Sequence, residues 1–114
     1  MLKKGLRLRK NRDFTYIYRK GQKARGRYIA VYALKGSREM LTGVSLSRKT
    51  GNAVTRNLYK RRILHIWREL LPGLRTSKYV IVAGPEIRKA SFQDLKTDLE
   101  RTARVFMKAP KGEQ

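Results

Sequence analysis

The order of its elements predicts an α+β fold for this chain, a two-layer sandwich in which three helices cover a small sheet. Its 114 residues are enough for one domain, spanning residues 1–114, and too few for two. Hydrophobic residues make up 40% of the sequence, which is enough for a core. Apolar strand-like runs alternate with amphipathic stretches in the order helix, strand, strand, helix, strand, helix.

The first helix is predicted to be short and unusually aromatic. Residues 1–10 alternate Leu with Lys or Arg, which indicates a basic arm ahead of it. Asn11 is a suitable N-cap, and Gly21 suits the end of the helix. Phe14 and Tyr18 lie one turn apart and share a face.

Three strands are predicted from β-branched and aromatic content. Residues 28–34 and 41–47 are both typical of strands, and the turn at 35–39 favours pairing them as a hairpin. The alternation puts Tyr32 on one face of the first of these strands. Residues 79–83 are almost entirely apolar, so we expect a central strand there.

A long central helix and a final helix complete the predicted fold. The central helix runs from about Ala53 to Leu71 and ends at Pro72. Its apolar stripe comprises Tyr59, Ile63, Ile66, Trp67, Leu70 and Leu71. Ser91 is predicted to cap the final helix in a capping box with Asp94. We expect residues 108–114 to form a frayed tail.

The charge of the chain indicates a polyanionic partner. Its formal net charge is +21, of which +17 falls in residues 1–62 and +4 in residues 63–114. Such self-repulsion destabilises a compact chain unless a polyanion relieves it. Nucleic acid is favoured over a membrane surface, because the basic segments are interleaved with strands and turns and form no broad apolar face.

The charge is concentrated at the start of the central helix. Residues 48–62 contain six positive charges and no acid, and residues 40–68 contain no acid at all. On a helical wheel, one side of the helix contains Asn57, Lys60, Arg61, Leu64 and Arg68. A merely solvated face would normally include acids as i,i+4 partners, so their absence favours a phosphate-binding face.

The same segment carries a recognisable motif. Gly51-Asn52-Ala53-Val54-Thr55-Arg56-Asn57-x-x-Lys60-Arg61 resembles the signature of the protein subunit of bacterial ribonuclease P. The pattern Leu8-x-x-Asn11-x-Asp13-Phe14-x-x-Ile17-Tyr18-x-x-Gly21 resembles the first helix of that family. The stretches at 44–49 and 79–83 resemble two of its strands, in the same order.

The resemblance implies a fold and a role. It implies a mixed sheet of about four strands with a left-handed βαβ crossover, like the second domain of ribosomal protein S5. In that family a large RNA that requires Mg²⁺ is the catalyst, and the protein binds both this RNA and the 5′ leader of precursor tRNA. The expected assembly has one protein per RNA and removes the leader to give mature 5′ ends.

Site residues carried over by position fall into two groups. Contacts with the catalytic RNA would come from Arg48, Lys49, Arg56, Asn57, Lys60 and Arg61. The leader would lie against Phe14, Tyr18, Tyr32 and Ser45. From the residues alone the aromatic side chains fit a stacking platform for single-stranded RNA, but they also fit ordinary core packing.

One position departs from the family pattern. The motif usually continues as Lys-Arg-x-x-Arg, whereas this chain has Leu64 at the last position. Arg68 lies one turn further along the same predicted face. We hypothesise that Arg68 supplies the missing contact.

The residues predict no catalytic set in this polypeptide. The sole histidine, His65, lies mid-helix and is interpreted as structural, while Asp94 and Asp98 are interpreted as surface charge. The sequence has no cysteine, no apolar run of 18 residues and no secretory signal, so we expect a cytoplasmic protein without a membrane partner. Mg²⁺ is expected to be held by the RNA, with no metal site in this chain.

Three other classes of protein compete with this interpretation. A ribosomal or other structural RNA-binding protein fits the charge equally well. A helix-turn-helix DNA-binding protein is disfavoured, because no second helix precedes the central one across a short turn. A free-standing nuclease is disfavoured because it would need carboxylates or a general base in the basic region.

Overall fold

The structure is a computed structural model that describes residues 7–8, 11–34, 36 and 38–107. Most of the predicted basic arm and the whole predicted tail therefore lie outside the described residues. The helices and strands are α1 (Asn11–Lys20), β1 (Gln22–Arg25), β2 (Ile29–Leu34), β3 (Leu41–Leu46), α2 (Ala53–Leu70), β4 (Lys78–Ala83) and α3 (Phe92–Ala103). This arrangement confirms the predicted α+β class with three helices.

The four strands form one mixed sheet in the order β1-β2-β4-β3. β1 pairs antiparallel with β2, β2 pairs antiparallel with β4, and β3 runs parallel to β4. The helix α2 connects the two parallel strands, so the implied crossover is present. The central place of β4 is confirmed, and the left hand of the crossover stays a prediction.

The predicted hairpin between residues 28–34 and 41–47 is wrong. β2 pairs with β1 on one side and with β4 on the other, and β3 meets only β4 within the sheet. Two causes explain the error. The apolar β4 is best buried between two neighbours, and β1 has the sequence Gln-Lys-Ala-Arg, in which only Ala24 is buried. A single buried alanine leaves no strand pattern to recognise.

Helices cover both faces of the sheet, although unequally, so the sheet lies between two helical layers and the predicted two-layer arrangement is wrong. Under α2 and α3 lies the larger core, which includes Ile29, Val31, Ile63, Ile66, Trp67, Tyr79, Ile81, Leu95, Leu99 and Phe106. The other face carries a smaller core of Leu8, Ile17 and Val80 beneath α1. The predicted stripe of α2 lies in the larger core, as do Leu95 and Leu99 of α3, and the predicted capping box of Ser91 and Asp94 is present.

Tyr79 and Trp67 bring polar groups into the larger core, and both groups are hydrogen-bonded. The indole Nε1 of Trp67 donates to Thr42 Oγ1 at 3.0 Å, which ties α2 to β3. The hydroxyl of Tyr79 donates to the carbonyl oxygen of Arg75. Burial raises the pKa of Tyr79 to about 12, although the nearby charge of Arg75 acts in the opposite direction.

Asp98 on α3 anchors the turn between β1 and β2, and its interpretation as surface charge is wrong. Only 5% of the residue is exposed. Its carboxylate accepts backbone N–H bonds from Arg27 at 2.7 Å, Tyr28 at 2.8 Å and Ile29 at 3.2 Å. A Cβ at Gly26 would lie 2.5 Å from Asp98 Oδ1, so the close approach requires glycine.

We expect Asp98→Ala to destabilise the protein by about 3 kcal/mol, because three backbone donors lose a charged acceptor in a part-buried turn. Urea unfolding followed by circular dichroism measures the free energy of unfolding. Glu69→Ala is the matched control, since it removes one negative charge from an exposed position on α2. Equal stabilities for the two variants would contradict the anchoring role.

Candidate nucleic-acid interface

The entry to α2 is fixed by a cap and a glycine. The side-chain oxygen of Asn52 accepts a bond from the backbone N–H of Thr55 at 2.9 Å and so caps the helix. Gly51 has φ 150°, a conformation that L side chains rarely adopt, and a Cβ there would lie 2.9 Å from Thr55 Cβ. The turn and the helix therefore hold a defined relative orientation.

The turn before α2 and the helix itself carry the side chains predicted to contact the catalytic RNA, six cations and one asparagine. We call them the basic ridge, which comprises Arg48, Lys49, Arg56, Asn57, Lys60, Arg61 and Arg68. Arg56 and Lys60 are partly buried, and the other five are exposed. Ile63, Ile66 and Trp67, on the other side of the same helix, lie in the larger core. The helix is bifacial, as its pattern predicts.

Leu64 is the exception on that side of the helix. The wheel predicts it in the middle of the basic face, yet only 4% of it is exposed. The surface of the ridge is therefore interrupted between Lys60 and Arg68. Burial accounts for an apolar residue at this position, and Arg68 beyond it remains exposed.

A groove of about 320 Å³ lies between α2 and β3. It is lined by Val44, Ser45, Leu46, Ala53, Arg56, Asn57 and Lys60. The Nε atom of Arg56 is buried and has no hydrogen-bond partner among the described residues. A buried donor without a partner costs free energy, which an acceptor on a bound ligand would recover.

A second surface, the aromatic cleft, lies on the sheet face beneath α1. We define it by Phe14, Tyr18, Tyr32 and Ser45. The rings of Tyr18 and Tyr32 meet edge to face with centroids 5.0 Å apart. A Cβ at Gly43 would lie 2.4 Å from Phe14 Cζ, so the glycine lets the Phe14 ring lie against β3.

The cleft residues combine packing with exposure. Phe14 and Tyr32 pack against the smaller core, whereas 37% of Tyr18 is exposed. Ser45 is opposite Val82 in the register and lines the groove beside α2 as well. The core-packing interpretation therefore holds in part, and an accessible aromatic edge remains.

Other titratable residues form no second site within the described part of the chain. His65 is exposed, with its ring centroid 6.1 Å from that of Phe92. Among residues 7–8, 11–34, 36 and 38–107, no group of three His, Cys, Asp or Glu side chains could hold a metal ion. No helix in the same residues is long and apolar enough to cross a membrane.

Comparisons with known proteins agree with this geometry. A family model described as Ribonuclease P matches residues 2–107. The ribonuclease P protein component of Streptococcus equi subsp. zooepidemicus is 34% identical over 105 residues, covering 91% of this chain and 88% of the relative. The structure of the Staphylococcus aureus RNase P protein matches with a TM-score of 0.80 and 29% identity, over 90% of this chain and 95% of that one. The Thermotoga maritima protein matches with a TM-score of 0.73 and 27% identity, over 90% and 98%.

A basic, acid-free ridge beside an aromatic cleft on an α+β fold defines a protein of the RNA-binding class. Within that class, the chain belongs to the family of bacterial ribonuclease P protein components. It is therefore a component of ribonuclease P, the endoribonuclease that processes the 5′ ends of tRNA, and associates with ribonuclease P RNA.

Two basic residues near the cleft escaped the sequence prediction. Lys23 and Arg25 lie on β1, which the sequence did not indicate as a strand. The register places them opposite Tyr32 and Ala30 of β2. The one sequence feature that could have indicated that Lys23 and Arg25 share a face is their position on either side of the apolar Ala24.

Proposed function

We propose that the basic ridge binds the catalytic RNA of ribonuclease P and that the aromatic cleft holds the 5′ leader of precursor tRNA. The observation that carries the proposal is the exposed ridge with the unpartnered Nε of Arg56 at its base. The chain then raises affinity and positions substrate, with one protein for each RNA. A role in maturing tRNA supports the expectation that the chain works in the cytoplasm.

The ridge is suited to the phosphates of a folded RNA. Residues 40–68 contain no acid, so the cations of the ridge from Arg48 to Arg61 have no carboxylate nearby in sequence to bind instead. Arginine binds phosphate through two parallel N–H bonds, and Arg56 is the arginine of the ridge that also lines the groove beside β3. Neutralising several phosphates releases counterions, which makes this binding strong at low salt and weak at high salt.

The cleft is suited to an unpaired strand. Single-stranded RNA is recognised by stacking of its bases on aromatic side chains beside a cationic surface. The ring of Tyr18 is exposed, and its edge-to-face contact with Tyr32 restricts its orientation. The ridge begins directly after β3, which also carries Ser45. A leader in the cleft would therefore run beside the docked RNA.

Phosphodiester hydrolysis is assigned to the RNA and its Mg²⁺ ions. Mg²⁺ prefers oxygen ligands, chiefly carboxylates and phosphates. Among the described acids, Asp98 is committed to three backbone N–H groups and Asp94 to the cap of α3. No group of three acids or histidines in the described part of the chain could hold a metal ion, whereas a folded RNA supplies many phosphate ligands.

Membership of the ribonuclease P family disfavours a ribosomal or other structural RNA-binding role. Such a role would use the ridge in the same way, but would give the aromatic cleft no function. Cleavage of precursor tRNA at low Mg²⁺ by the RNA with and without this protein distinguishes the two, since only the proposed role makes cleavage depend on the protein.

We expect Arg56→Ala to weaken binding to the catalytic RNA about tenfold, because one bidentate phosphate contact and its counterion release are lost. The measurement is a filter-binding titration across a salt series. The slope of log affinity against log salt should fall by about 0.7 to 0.9. Arg104→Ala is the matched control, an exposed arginine beyond α3. Equal effects of the two substitutions would contradict a specific ridge.

Arg68 is proposed to replace the contact that Leu64 does not make. We expect Arg68→Ala to weaken RNA binding and to lower the salt slope by the same amount as Arg56→Ala. The same titration measures it. Unchanged affinity and unchanged salt dependence would remove Arg68 from the interface.

We expect Tyr18→Ala in the reconstituted holoenzyme to weaken binding of precursor tRNA by about 1 to 3 kcal/mol, the contribution of one stacked base. Binding of mature tRNA, which lacks the leader, should not change. Tyr16→Ala is the matched control, since Tyr16 is 53% exposed on a different side of the same helix. A loss shared equally by precursor and mature tRNA would exclude leader contact.

A further inference from the structure

The sheet register builds two rows of side chains across the face that carries the aromatic cleft. One row comprises Ser45, Val82, Ala30 and Arg25, and the next comprises Gly43, Val80, Tyr32 and Lys23. Each row runs at right angles to the strands, from β3 at one edge to β1 at the other. Both rows end in a cation on β1, since successive strand residues alternate between the two faces.

α1 covers the second row much more than the first. Phe14 lies against Gly43, and Val80 is fully buried. In the first row, by contrast, Val82 and Ala30 are partly exposed and Arg25 is exposed. The first row is therefore the floor of an open trough with small side chains at its centre.

The β1 end of this trough is a groove of its own, with a volume of about 390 Å³. Aromatic and cationic side chains are paired along it. The Nζ of Lys23 lies 5.5 Å from the centroid of the Tyr32 ring, and the guanidinium of Arg27 lies 5.3 Å from the centroid of Tyr28. One acid, Glu86, also lines the groove.

The trough has cations at both ends. At the β3 end lies the groove of Arg56 and Lys60, which shares Ser45 with the first row. At the β1 end lie Lys23 and Arg25. The four strands span roughly 14 Å, from three strand spacings of about 4.8 Å. A polyanion that crosses the sheet would therefore contact cations at both the β3 edge and the β1 edge.

We propose that the leader of precursor tRNA continues from the aromatic cleft across the sheet to β1, where Lys23 and Arg25 bind its distal phosphates. This inference rests on the proposed function of the cleft. The catalytic RNA docks at the β3 side in that proposal, so the cleavage site lies on that side and the β1 side receives nucleotides further upstream. Contact with β1 therefore requires a leader long enough to cross the sheet.

The test uses the reconstituted holoenzyme and precursor tRNAs whose leaders are shortened one nucleotide at a time, down to mature tRNA. We expect the double variant Lys23→Ala/Arg25→Ala to weaken binding of the long-leader substrate about tenfold. Its salt slope should fall by about 1.4, for two lost contacts with a single strand. The effect should vanish below a threshold leader length and be absent for mature tRNA.

Two controls separate charge from position. Lys96→Ala/Arg104→Ala removes the same charge from the α3 side of the molecule and should leave the dependence on leader length unchanged. The swap Lys23→Arg/Arg25→Lys keeps the charge and should retain the affinity for long leaders. A loss that is equal for every leader length would overturn the inference, because it would mean that β1 contacts mature tRNA or the catalytic RNA.

The outcome also separates this inference from the proposal on which it rests. If Tyr18→Ala weakens binding only when a leader is present while the β1 variant has no effect, the cleft holds the leader and the extension to β1 is wrong. If neither variant shows any dependence on the leader, the leader-binding role of the cleft fails as well.

Discussion

The burial of β4 on both faces is the constraint on which the rest of the structure depends. Tyr79, Val80 and Ile81 are all fully buried, so the sheet needs a helical layer on each side. α2 and α3 supply one layer, while α1 supplies the other with only ten residues, about 15 Å of helix. Because α1 is too short to cover its face completely, the row from Ser45 to Arg25 stays open. The cleft is thus a consequence of unequal coverage.

The acidic residues are also distributed unequally, since α3 carries several and the segment that contains the basic ridge carries none. Two of the acids on α3 have structural tasks, since Asp98 binds the β1–β2 turn and Asp94 completes the cap. Residues 40–68 carry none, so no carboxylate within this segment offsets the repulsion among its cations. Such repulsion is tolerable because the larger core beneath α2 holds the helix from its other side. Binding a polyanion relieves the repulsion without any change in that core.

Features set by local pattern could be predicted from the sequence, and features set by tertiary contacts could not. The stripe of α2, the apolar β4 and the Ser91 cap follow from periodicity and capping chemistry. The strands that pair with β2 are β1 and β4, and neither pairing can be read from the sequence of β2 itself. β1 has no apolar residue other than Ala24, so its sequence does not indicate a strand. The burial of Leu64 and the three bonds of Asp98 likewise depend on neighbours distant in sequence. Within the candidate site, the ridge followed from its charge and its resemblance to a family, whereas Lys23 and Arg25 needed the register of the sheet.

The strand β3 connects the two surfaces, so in the proposed function it would set the distance between the catalytic RNA and the leader. Ser45 belongs both to the groove beside Arg56 and to the row that crosses the cleft. β3 is fixed on one side by its parallel ladder with β4 and from below by the bond of Trp67 to Thr42. An RNA on the ridge and a strand in the cleft would therefore be held at a constant separation. Since small displacements of a reacting group reduce rates severely, this fixed spacing is the contribution that the fold can make to cleavage.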